Sequence, residues 1–239
     1  MRIFYCIVLL MSISIATLYA QTSKSVLIFS KTTGFRHKSI EKGIATVSKL
    51  LQAQRINFLC TEDAVYFHAD SLKNFDAVIF LNTTGDILDE NQKKNFQHFI
   101  QSGKGYMGIH AASDTEFNWP WYGALVGGYF VRHPAVQEAK IDVLNRRHPS
   151  TAHLQKTWYH RDEWYDFKDV KAGLHILMAV DESSYNGGGM GKFHPIAWFQ
   201  EYDGGRSFYT GLGHTEESYD SPLFQKHIIG GVKYVLKLK

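Results

Sequence analysis

Short runs of consecutive apolar residues recur through the first half of the chain, separated by segments of mixed polarity. The runs cover residues 26–29, 56–60, 77–81 and 106–109. Continuous apolar runs of this length are typical of strands that are buried on both faces of a parallel sheet. The pattern therefore predicts four buried strands before residue 110.

Between these runs, hydrophobic residues recur at the spacing of a helix, first at Ile40, Ile44, Val47 and Leu51. Ser39 suits the N-cap of that helix, and Asp89 with Gln92 forms a capping-box pattern for the next one. Ser221 followed by Pro222 is a typical opening for the last helix. The alternation of strands and helices predicts a doubly wound, mostly parallel α/β sheet of the flavodoxin-like kind.

The pattern changes between about residues 119 and 213, where short aromatic strands are separated by glycine-rich loops such as residues 187–191. Long insertions of this kind usually lie at the functional edge of a fold. Since no internal repeat, low-complexity tract or linker interrupts the chain, we predict a single domain over residues 21–239.

The first twenty residues have the pattern of an export signal. Arg2 precedes a largely apolar stretch over residues 3–18, as in the basic and hydrophobic regions of a signal peptide. The competing interpretation is a membrane anchor, but polar residues interrupt the stretch, and it is shorter than the roughly 20 residues of a span. We expect residues 1–20 to be removed, and the mature protein to be periplasmic or secreted without a membrane attachment. Removal leaves Cys60 as the single cysteine, which we expect to be buried and inert.

Charge and composition narrow the function classes. The chain of 239 residues carries 26 Lys and Arg against 23 Asp and Glu, and these charges are interspersed. The sequence shows no basic patch that could bind a nucleic acid, so no nucleic acid is expected as a partner. A hydrophobic fraction of 44% excludes a disordered chain. The oligomeric state is not indicated by the sequence.

Candidate chemistry follows two of the predicted strands, because ligands of open parallel sheets bind beyond the carboxyl ends of the strands. After the first strand, Gly34 permits a tight turn, and Arg36 and His37 supply donors for an anionic or polyhydroxyl ligand. After the fourth, small neighbours allow a sharp turn that would expose His110, and Asp114 follows in the same turn. An imidazole there can move a proton or bind a metal; alternatively, it only holds the turn by hydrogen bonds.

An aromatic segment at residues 162–165 supplies a carboxylate. Strand alternation would place Glu163 and Tyr165 on one face and Asp162 and Trp164 on the other, so that one of the two carboxylates faces inward. A carboxyl beside aromatic rings loses hydration, so its pKa should rise, which suits a general acid or base. The alternative is a structural acid paired with Arg161 or Arg206.

A glycine-rich turn after the strand near residue 206 carries His214. Together with His110 and Glu163 it would supply two imidazoles and a carboxylate, enough for a divalent transition metal with open positions. The sequence requires no cofactor. The alternative is that His214 is a loop histidine without a function. As a candidate, His133 in the insertion ranks below His110 and His214 and above the remaining histidines.

Several of these stretches together resemble the ThuA-like family, the trehalose-utilisation proteins, whose fold is related to class I glutamine amidotransferases. The matching stretches are residues 33–37, 81–86, 103–115, 119–121, 162–165, 194–198 and 205–215. The resemblance implies a role in sugar metabolism, in particular with keto-derivatives of disaccharides. Amidotransferases carry a cysteine at the elbow where this chain has His110, and Cys60 is on another strand. Glutamine hydrolysis is therefore not expected.

The leading hypothesis is an exported, sugar-active enzyme that transfers protons beside a keto group, in an isomerisation or an elimination. His110 and Glu163 would form the acid–base pair, and His214 would orient or polarise the substrate. The expected substrate-binding residues are Gly34, Arg36, His37, Asp114, Trp119, Trp121, Tyr165 and Arg206. Trp119, Trp121 and Trp164 would stack on pyranose faces, unless they pack in the core. Two alternatives stay open: a non-catalytic carbohydrate-binding or sensing module, and a metal-assisted hydrolase.

Overall fold

A computed structural model describes residues 24–239, so the predicted leader lies outside the described residues. The strands are β1 Ser25–Phe29, β2 Asn57–Thr61, β3 Ala77–Leu81, β4 Gly105–Ile109, β5 Tyr129–Arg132, β6 Gln137–Val143, β7 Thr157–Asp162, β8 Asp166–Lys168, β9 His175–Val180, β10 His194–Tyr202 and β11 Gly205–Thr210. The helices are α1 Ile40–Ala53, α2 Ala69–Leu72, α3 Glu90–Gln101, α4 Pro120–Val126, α5 Glu216–Asp220 and α6 Pro222–Val235. Short 3₁₀ helices cover Ala64–Phe67, His110–Asp114 and Glu182–Ser184.

Nine of these strands form one sheet in the order β2-β1-β3-β4-β11-β10-β9-β6-β7, and β5 pairs with β8 separately. The strands from β2 to β11 in this order are mutually parallel, whereas β10, β9, β6 and β7 are joined by antiparallel pairings. The predicted doubly wound α/β fold is confirmed. Most of the antiparallel half comes from the aromatic, glycine-rich region of the sequence.

Successive residues of the parallel strands face two different helix layers. Val26 and Ile28 of β1 pack into the core shared with α1 and α6. Leu27 and Phe29 of the same strand pack into the core shared with α3 and α4. Because helices cover both faces of the sheet, β1, β3 and β4 are buried and largely apolar, which is the pattern in the sequence. The expectation that the second strand is buried is wrong, since β2 is at the edge of the sheet and most of its residues are exposed.

The helix caps also tie loops together. Asp89 and Gln92 form the predicted capping box of α3. Ser39 occupies the N-cap position of α1, but its hydroxyl makes no cap hydrogen bond and donates instead to the carbonyl of Gly213, 3.1 Å away. The side-chain amide of Asn82 donates to the same carbonyl at 3.2 Å. The loops that follow β1, β3 and β11 are thus held against one another.

The antiparallel half curves back over the parallel half. β7 is four positions from β11 in the sheet, yet the Asp162 carboxylate at its end accepts the backbone N–H of Gly213 at 2.8 Å. His160 of β7 lies 2.9 Å from the hydroxyl of Ser218 in α5. Four successive antiparallel pairings leave β7 and β11 pointing the same way, so their carboxyl ends meet at one edge.

Two sequence-based expectations about local structure are wrong. β7 ends at Asp162, so Glu163 and Tyr165 lie beyond the strand rather than in it. Cys60 is exposed, because β2 is the edge strand of the sheet, and its thiol lies 3.4 Å from the hydroxyl of Ser48. Within residues 24–239, no helix combines the length and apolarity needed to cross a membrane.

Candidate functional site

Side chains that follow four strands meet at the carboxyl edge of the sheet. His37, His110, Glu163 and His214 each offer one ligand atom, and these atoms all lie within 4.8 Å of one another. The residues follow β1, β4, β7 and β11, so the topology brings together segments that are remote in sequence. Of the four, His110, Glu163 and His214 were predicted to share a site, and His37 was predicted as a substrate anchor. We refer to these four residues as the histidine cluster.

The predicted elbow after β4 is present at His110. This residue has a backbone φ of 49°, in the left-handed region that non-glycine residues rarely adopt. The turn is close-packed, because a Cβ added to Gly108 would lie 3.1 Å from that of Ala112. The expectation that the elbow exposes His110 is wrong. Its side chain is fully buried under Tyr165, with ring centroids 4.1 Å apart.

The hydrogen bonds of His110 fix which nitrogen faces the cluster. Nδ1 lies 2.7 Å from the carbonyl oxygen of Gly211, which can only accept, so Nδ1 carries a proton. In the neutral ring, Nε2 then holds the lone pair, and it lies 3.3 Å from His214 Nδ1. In metal-binding histidines, the ring nitrogen that does not hold the metal commonly donates its N–H to a backbone carbonyl. Nε2 of His110 therefore faces the centre of the cluster, where it offers a lone pair in the neutral ring or, when it carries a proton, an N–H toward Oε2 of Glu163, 3.5 Å away.

Glu163 is surrounded by imidazoles on both of its oxygens. Oε2 lies 3.0 Å from His214 Nδ1 and 3.5 Å from His110 Nε2, and Oε1 lies 2.8 Å from His133 Nδ1. Burial alone would raise its pKa, but the hydrogen bonds to His110 and His214 outweigh burial and lower the pKa to about 2. The expected rise is therefore wrong. Glu163 is an ionised carboxylate at neutral pH.

The pKa values of the other two histidines are shifted in opposite directions. Burial, followed by the neighbouring imidazoles of His110 and His214, lowers the pKa of His37 to about 2, so this ring is neutral. Its Nδ1 is buried without a hydrogen-bond partner, and its Nε2 lies 3.4 Å from the Tyr165 hydroxyl. The pKa of His214 is raised, because the hydrogen bond to Glu163 outweighs partial burial.

A second carboxylate holds the loop that carries His214. Asp162 is fully buried and accepts the backbone N–H groups of Gly213 at 2.8 Å and His214 at 3.0 Å. It also accepts the hydroxyl of Ser218 at 2.8 Å. Hydrogen bonds, first that of His160, keep its pKa low despite burial. The sequence analysis assigned Asp162 no role. Its position next to Glu163 in the chain was the feature that could have indicated one.

Three further residues form the rim of the cluster. The side chain of His133 is 41% exposed, and its ring stacks on Tyr165 with centroids 5.8 Å apart. Burial raises the pKa of the half-buried Asp114 to about 6, partly offset by the charge of His133. Through His133 and His214 the cluster has an opening to solvent. Tyr165 and Asp114 thus lie at the site, as predicted, and His133 joins them.

Gly34 and Arg36 bracket the turn that leads to His37, but neither enters the cluster. A Cβ on Gly34 would lie 3.3 Å from the hydroxyl of Thr84, so glycine permits the close approach of these loops. The guanidinium of Arg36 is directed outward, to Glu41 at 2.6 Å and Glu62 at 2.8 Å. The predicted contact of Arg36 with a ligand at the cluster is not supported by this geometry.

Arg206 and the tryptophans lie away from the site. Arg206 is at the start of β11, the opposite end from His214, and contacts the Tyr234 carbonyl at 3.3 Å. Trp119 and Trp121 stack on each other, and Trp121 donates to Asp203 beside the same end of β11. Trp164 is buried and donates to the Gln137 carbonyl. The structure therefore does not bring these four residues together with the histidine cluster, and their roles at a ligand stay predictions.

One aromatic residue that sequence reasoning missed does lie at the site. Phe35 is 65% exposed, and its ring meets that of His37 edge-on with centroids 4.9 Å apart. Its place two residues before His37, in a loop after a buried strand, was the available signal. An exposed apolar ring beside a polar cluster suits the C–H face of a sugar.

The fold and the cluster define a flavodoxin-like α/β protein with a buried histidine–carboxylate site at the carboxyl edge of its sheet. The family model ThuA, described as trehalose utilisation, matches residues 25–235. The chain therefore belongs to the ThuA family, which is related to trehalose utilisation. A search of curated proteins finds no match.

Solved structures with a similar fold include two ThuA-like proteins. A putative ThuA-like protein from Bacteroides uniformis ATCC 8492 is 19% identical, with a TM-score of 0.74, over 93% of this chain and 95% of that one. Another from Parabacteroides merdae ATCC 43184 is 18% identical, with a TM-score of 0.77, over 90% of each chain. A β-galactosidase from Bacillus circulans sp. alkalophilus is 10% identical, with a TM-score of 0.60, over 91% of this chain but 31% of its own. At these identities the likeness concerns the fold.

Proposed function

We propose that the protein is an exported, carbohydrate-active enzyme that moves protons beside the keto group of a disaccharide derivative, at a divalent transition-metal centre. The observation that carries the proposal is the convergence of the ligand atoms of His37, His110, Glu163 and His214 within 4.8 Å. The relation of the family to trehalose utilisation supports a sugar as the substrate.

The protonation states of the cluster suit a metal ion. Glu163 is ionised and His37 is neutral, because their pKa values are both lowered to about 2. His110 presents the lone pair of Nε2, and His214 has to release the proton that it shares with Glu163. Three imidazoles and one carboxylate are a common ligand set for zinc, iron or manganese. When bound, such an ion polarises a carbonyl oxygen and so acidifies the neighbouring C–H bond.

The low pKa of Glu163 argues against the acid–base pair predicted for His110 and Glu163. His110 is held by the Gly211 carbonyl, and Glu163 has no proton to give near neutral pH. Asp114, with a pKa raised to about 6, and the exposed His133 are better placed to exchange protons with a bound ligand.

The reaction balances as a proton transfer. A base at the rim takes the proton from the carbon beside the carbonyl, and the C–H electron pair becomes the double bond of an enolate. Where the carbon that lost the proton carries a hydroxyl, the hydroxyl proton moves to the former carbonyl oxygen and a proton returns to the former carbonyl carbon. The carbonyl has then moved by one carbon, which completes an isomerisation. Departure of a substituent with its electron pair completes an elimination instead. Phe35 supplies an apolar surface for the sugar ring next to His37.

The test uses chain purified without a histidine tag. We expect the wild type to retain a transition metal and to convert a keto-disaccharide with exchange of one carbon-bound hydrogen for deuterium in D₂O, followed by mass spectrometry. His110→Ala should lose that metal and the turnover while keeping its far-ultraviolet circular dichroism. Full turnover in His110→Ala would overturn the proposal, as would a wild type that binds no metal.

A second candidate function, a non-catalytic carbohydrate-binding module, is favoured by the complete burial of His110. Calorimetric affinity for the sugar, together with no product and no deuterium exchange, would support this alternative. Release of two monosaccharides would instead support metal-assisted hydrolysis. The export part of the proposal is checked by sequencing the mature N-terminus from a periplasmic or culture fraction.

A further inference from the structure

A second group of metal-ligating side chains lies near the histidine cluster and is not used by the proposed function. Asp166, Glu182 and His194 each offer one ligand atom, and these atoms all lie within 4.8 Å of one another. Asp166 is at the start of β8 and His194 at the start of β10. Both are buried, and Glu182 is partly buried. We refer to these three residues as the clasp.

The hydrogen bonds of His194 place two acceptors face to face. Its Nε2 lies 2.8 Å from the carbonyl oxygen of Tyr165, so Nε2 carries a proton. In the neutral ring, Nδ1 holds the lone pair, yet it lies 2.9 Å from Oε1 of Glu182. The hydroxyl of Tyr185, 3.0 Å from Nδ1, has one proton to donate. The contact with Glu182 is therefore stable only with a positive charge between the two atoms, either a proton or a metal ion.

The charges around the clasp leave one negative charge to balance. Glu182 and Asp166 supply two carboxylates, and the guanidinium of Arg132 lies 2.8 Å from Oδ2 of Asp166. That oxygen is buried and accepts no hydrogen bond. A largely buried carboxylate pair with a single guanidinium favours a second cation. Arg132 is 54% exposed, so solvent screens part of the charge that it offers to Asp166.

Backbone N–H groups of the glycine-rich loop at residues 187–191 donate hydrogen bonds to both carboxylates. Glu182 accepts the N–H groups of Met190 at 2.7 Å and Gly191 at 3.0 Å. Oδ1 of Asp166 accepts the N–H of Gly189 at 3.2 Å. Metal-binding carboxylates and imidazoles are usually oriented by such outer hydrogen bonds. The arrangement parallels that of His110, whose Nδ1 is held by the Gly211 carbonyl.

We propose that Asp166, Glu182 and His194 form a second divalent-cation site, which fastens the 187–191 loop beside the histidine cluster. One imidazole nitrogen and two carboxylate oxygens suit Mn²⁺ or Zn²⁺. Tyr165 connects the two sites, since its carbonyl orients His194 and its ring packs on His110. The second site does not depend on the proposed function, because it shares no ligand with the histidine cluster.

The first experiment counts ions. Wild type and variants are incubated with Mn²⁺ or Zn²⁺ alone, passed through a desalting column and measured by mass spectrometry of the metal. We expect two ions in the wild type, one in Glu182→Gln and one in Glu163→Gln. Glu201→Gln, at an exposed position on the same strand as His194, should keep both. Equal metal content in Glu182→Gln and wild type would overturn the proposal.

The same count separates this inference from the proposed function. Loss of an ion in Glu182→Gln with no loss in Glu163→Gln would support the clasp and contradict the metal centre at the histidine cluster. The reverse outcome would contradict the clasp alone.

The second experiment needs no substitution in the clasp. Lys192 is exposed beside the loop, so trypsin cleavage after it reports loosening of residues 187–191. We expect chelation to speed this cleavage at least tenfold, and Mn²⁺ or Zn²⁺ to reverse the change. The effect should persist in Glu163→Gln, whose clasp is intact. A cleavage rate that chelation leaves unchanged, or a response that disappears in Glu163→Gln, would overturn the proposal.

Discussion

Two groups of buried histidines in this protein have the same residue type and different surroundings. In the histidine cluster, burial lowers the pKa of His37 to about 2, and at the inner face of α6 it lowers those of His148 and His227 to about 4 and about 3. Both rings at α6 have Ser150 as their partner: His148 Nδ1 lies 2.7 Å from its hydroxyl, and His227 Nδ1 lies 3.0 Å from its carbonyl. Phenylalanine rings pack on both.

The difference teaches that burial and a lowered pKa do not identify a functional histidine. What sets the histidine cluster apart is the convergence of three imidazoles on one carboxylate, Glu163, at an edge with access to solvent. Variants at Glu163, Asp162 and His227 each change one side of this comparison.

The largest effect is expected from Glu163→Gln. The substitution removes the negative charge that the imidazoles share, and a neutral amide is a poor metal ligand. We expect metal affinity at the histidine cluster to fall more than about 100-fold, with a loss of turnover at least as large. Titration calorimetry with Zn²⁺ or Mn²⁺ measures the affinity. His227→Gln is the matched control and should bind normally; equal affinities in the two variants would contradict the distinction.

Asp162→Asn should have the next largest effect. The asparagine would present an NH₂ group to one of the backbone N–H groups of Gly213 and His214, which now both donate to the carboxylate. The loop that carries His214 should shift, and metal affinity should fall roughly 10- to 100-fold. Circular dichroism would show whether the fold is kept. Unchanged affinity in a folded variant would show that the loop holds His214 without Asp162.

The histidine pair at the inner face of α6 should affect acid stability rather than metal binding. The folded pKa of His227, about 3, lies below its usual value of 6.5, so the unfolded chain binds the extra proton between these values. The neutral, buried ring of His227 therefore leaves the free energy of unfolding at its full value well above pH 6.5. The free energy of unfolding declines as the pH falls toward 3. From pH 6.5 to 5 one such group removes about 2 kcal/mol from the free energy of unfolding.

His227→Gln should therefore flatten the pH dependence of stability, which denaturant titrations at pH 7 and pH 5 measure. His37 and His148 contribute in the same direction, because their pKa values are also lowered, so some slope should persist in the variant. An identical slope in variant and wild type would contradict the assignment.

The sequence predicted the parallel half of the fold because strands covered on both faces are apolar along their length. It also predicted that His110, Glu163 and His214 meet, since each follows a strand. It could not show that the antiparallel half curves back. It also placed Trp121 and Arg206 at the ligand, although they lie near the start of β11 and His214 follows its end. The pKa of Glu163 depends on how many imidazoles reach it, which no local pattern records.

Arg36→Ala should have the smallest effect. Its guanidinium pairs with Glu41 and Glu62, and all three side chains are substantially exposed. We expect the free energy of unfolding to change by less than about 1 kcal/mol, since exposed ion pairs contribute little. The value of kcat/KM for a keto-disaccharide should stay within about threefold. A rise in KM of tenfold or more would instead show that Arg36 turns toward the substrate.

The left-handed backbone at His110 has an evolutionary consequence. A side chain with a Cβ in that conformation costs of order 1 kcal/mol relative to glycine, which adopts it freely. Selection for heat resistance alone would favour glycine or asparagine at position 110, whereas selection for the proposed chemistry would retain histidine. If the proposal holds, homologues without that chemistry should carry a smaller residue at this one turn.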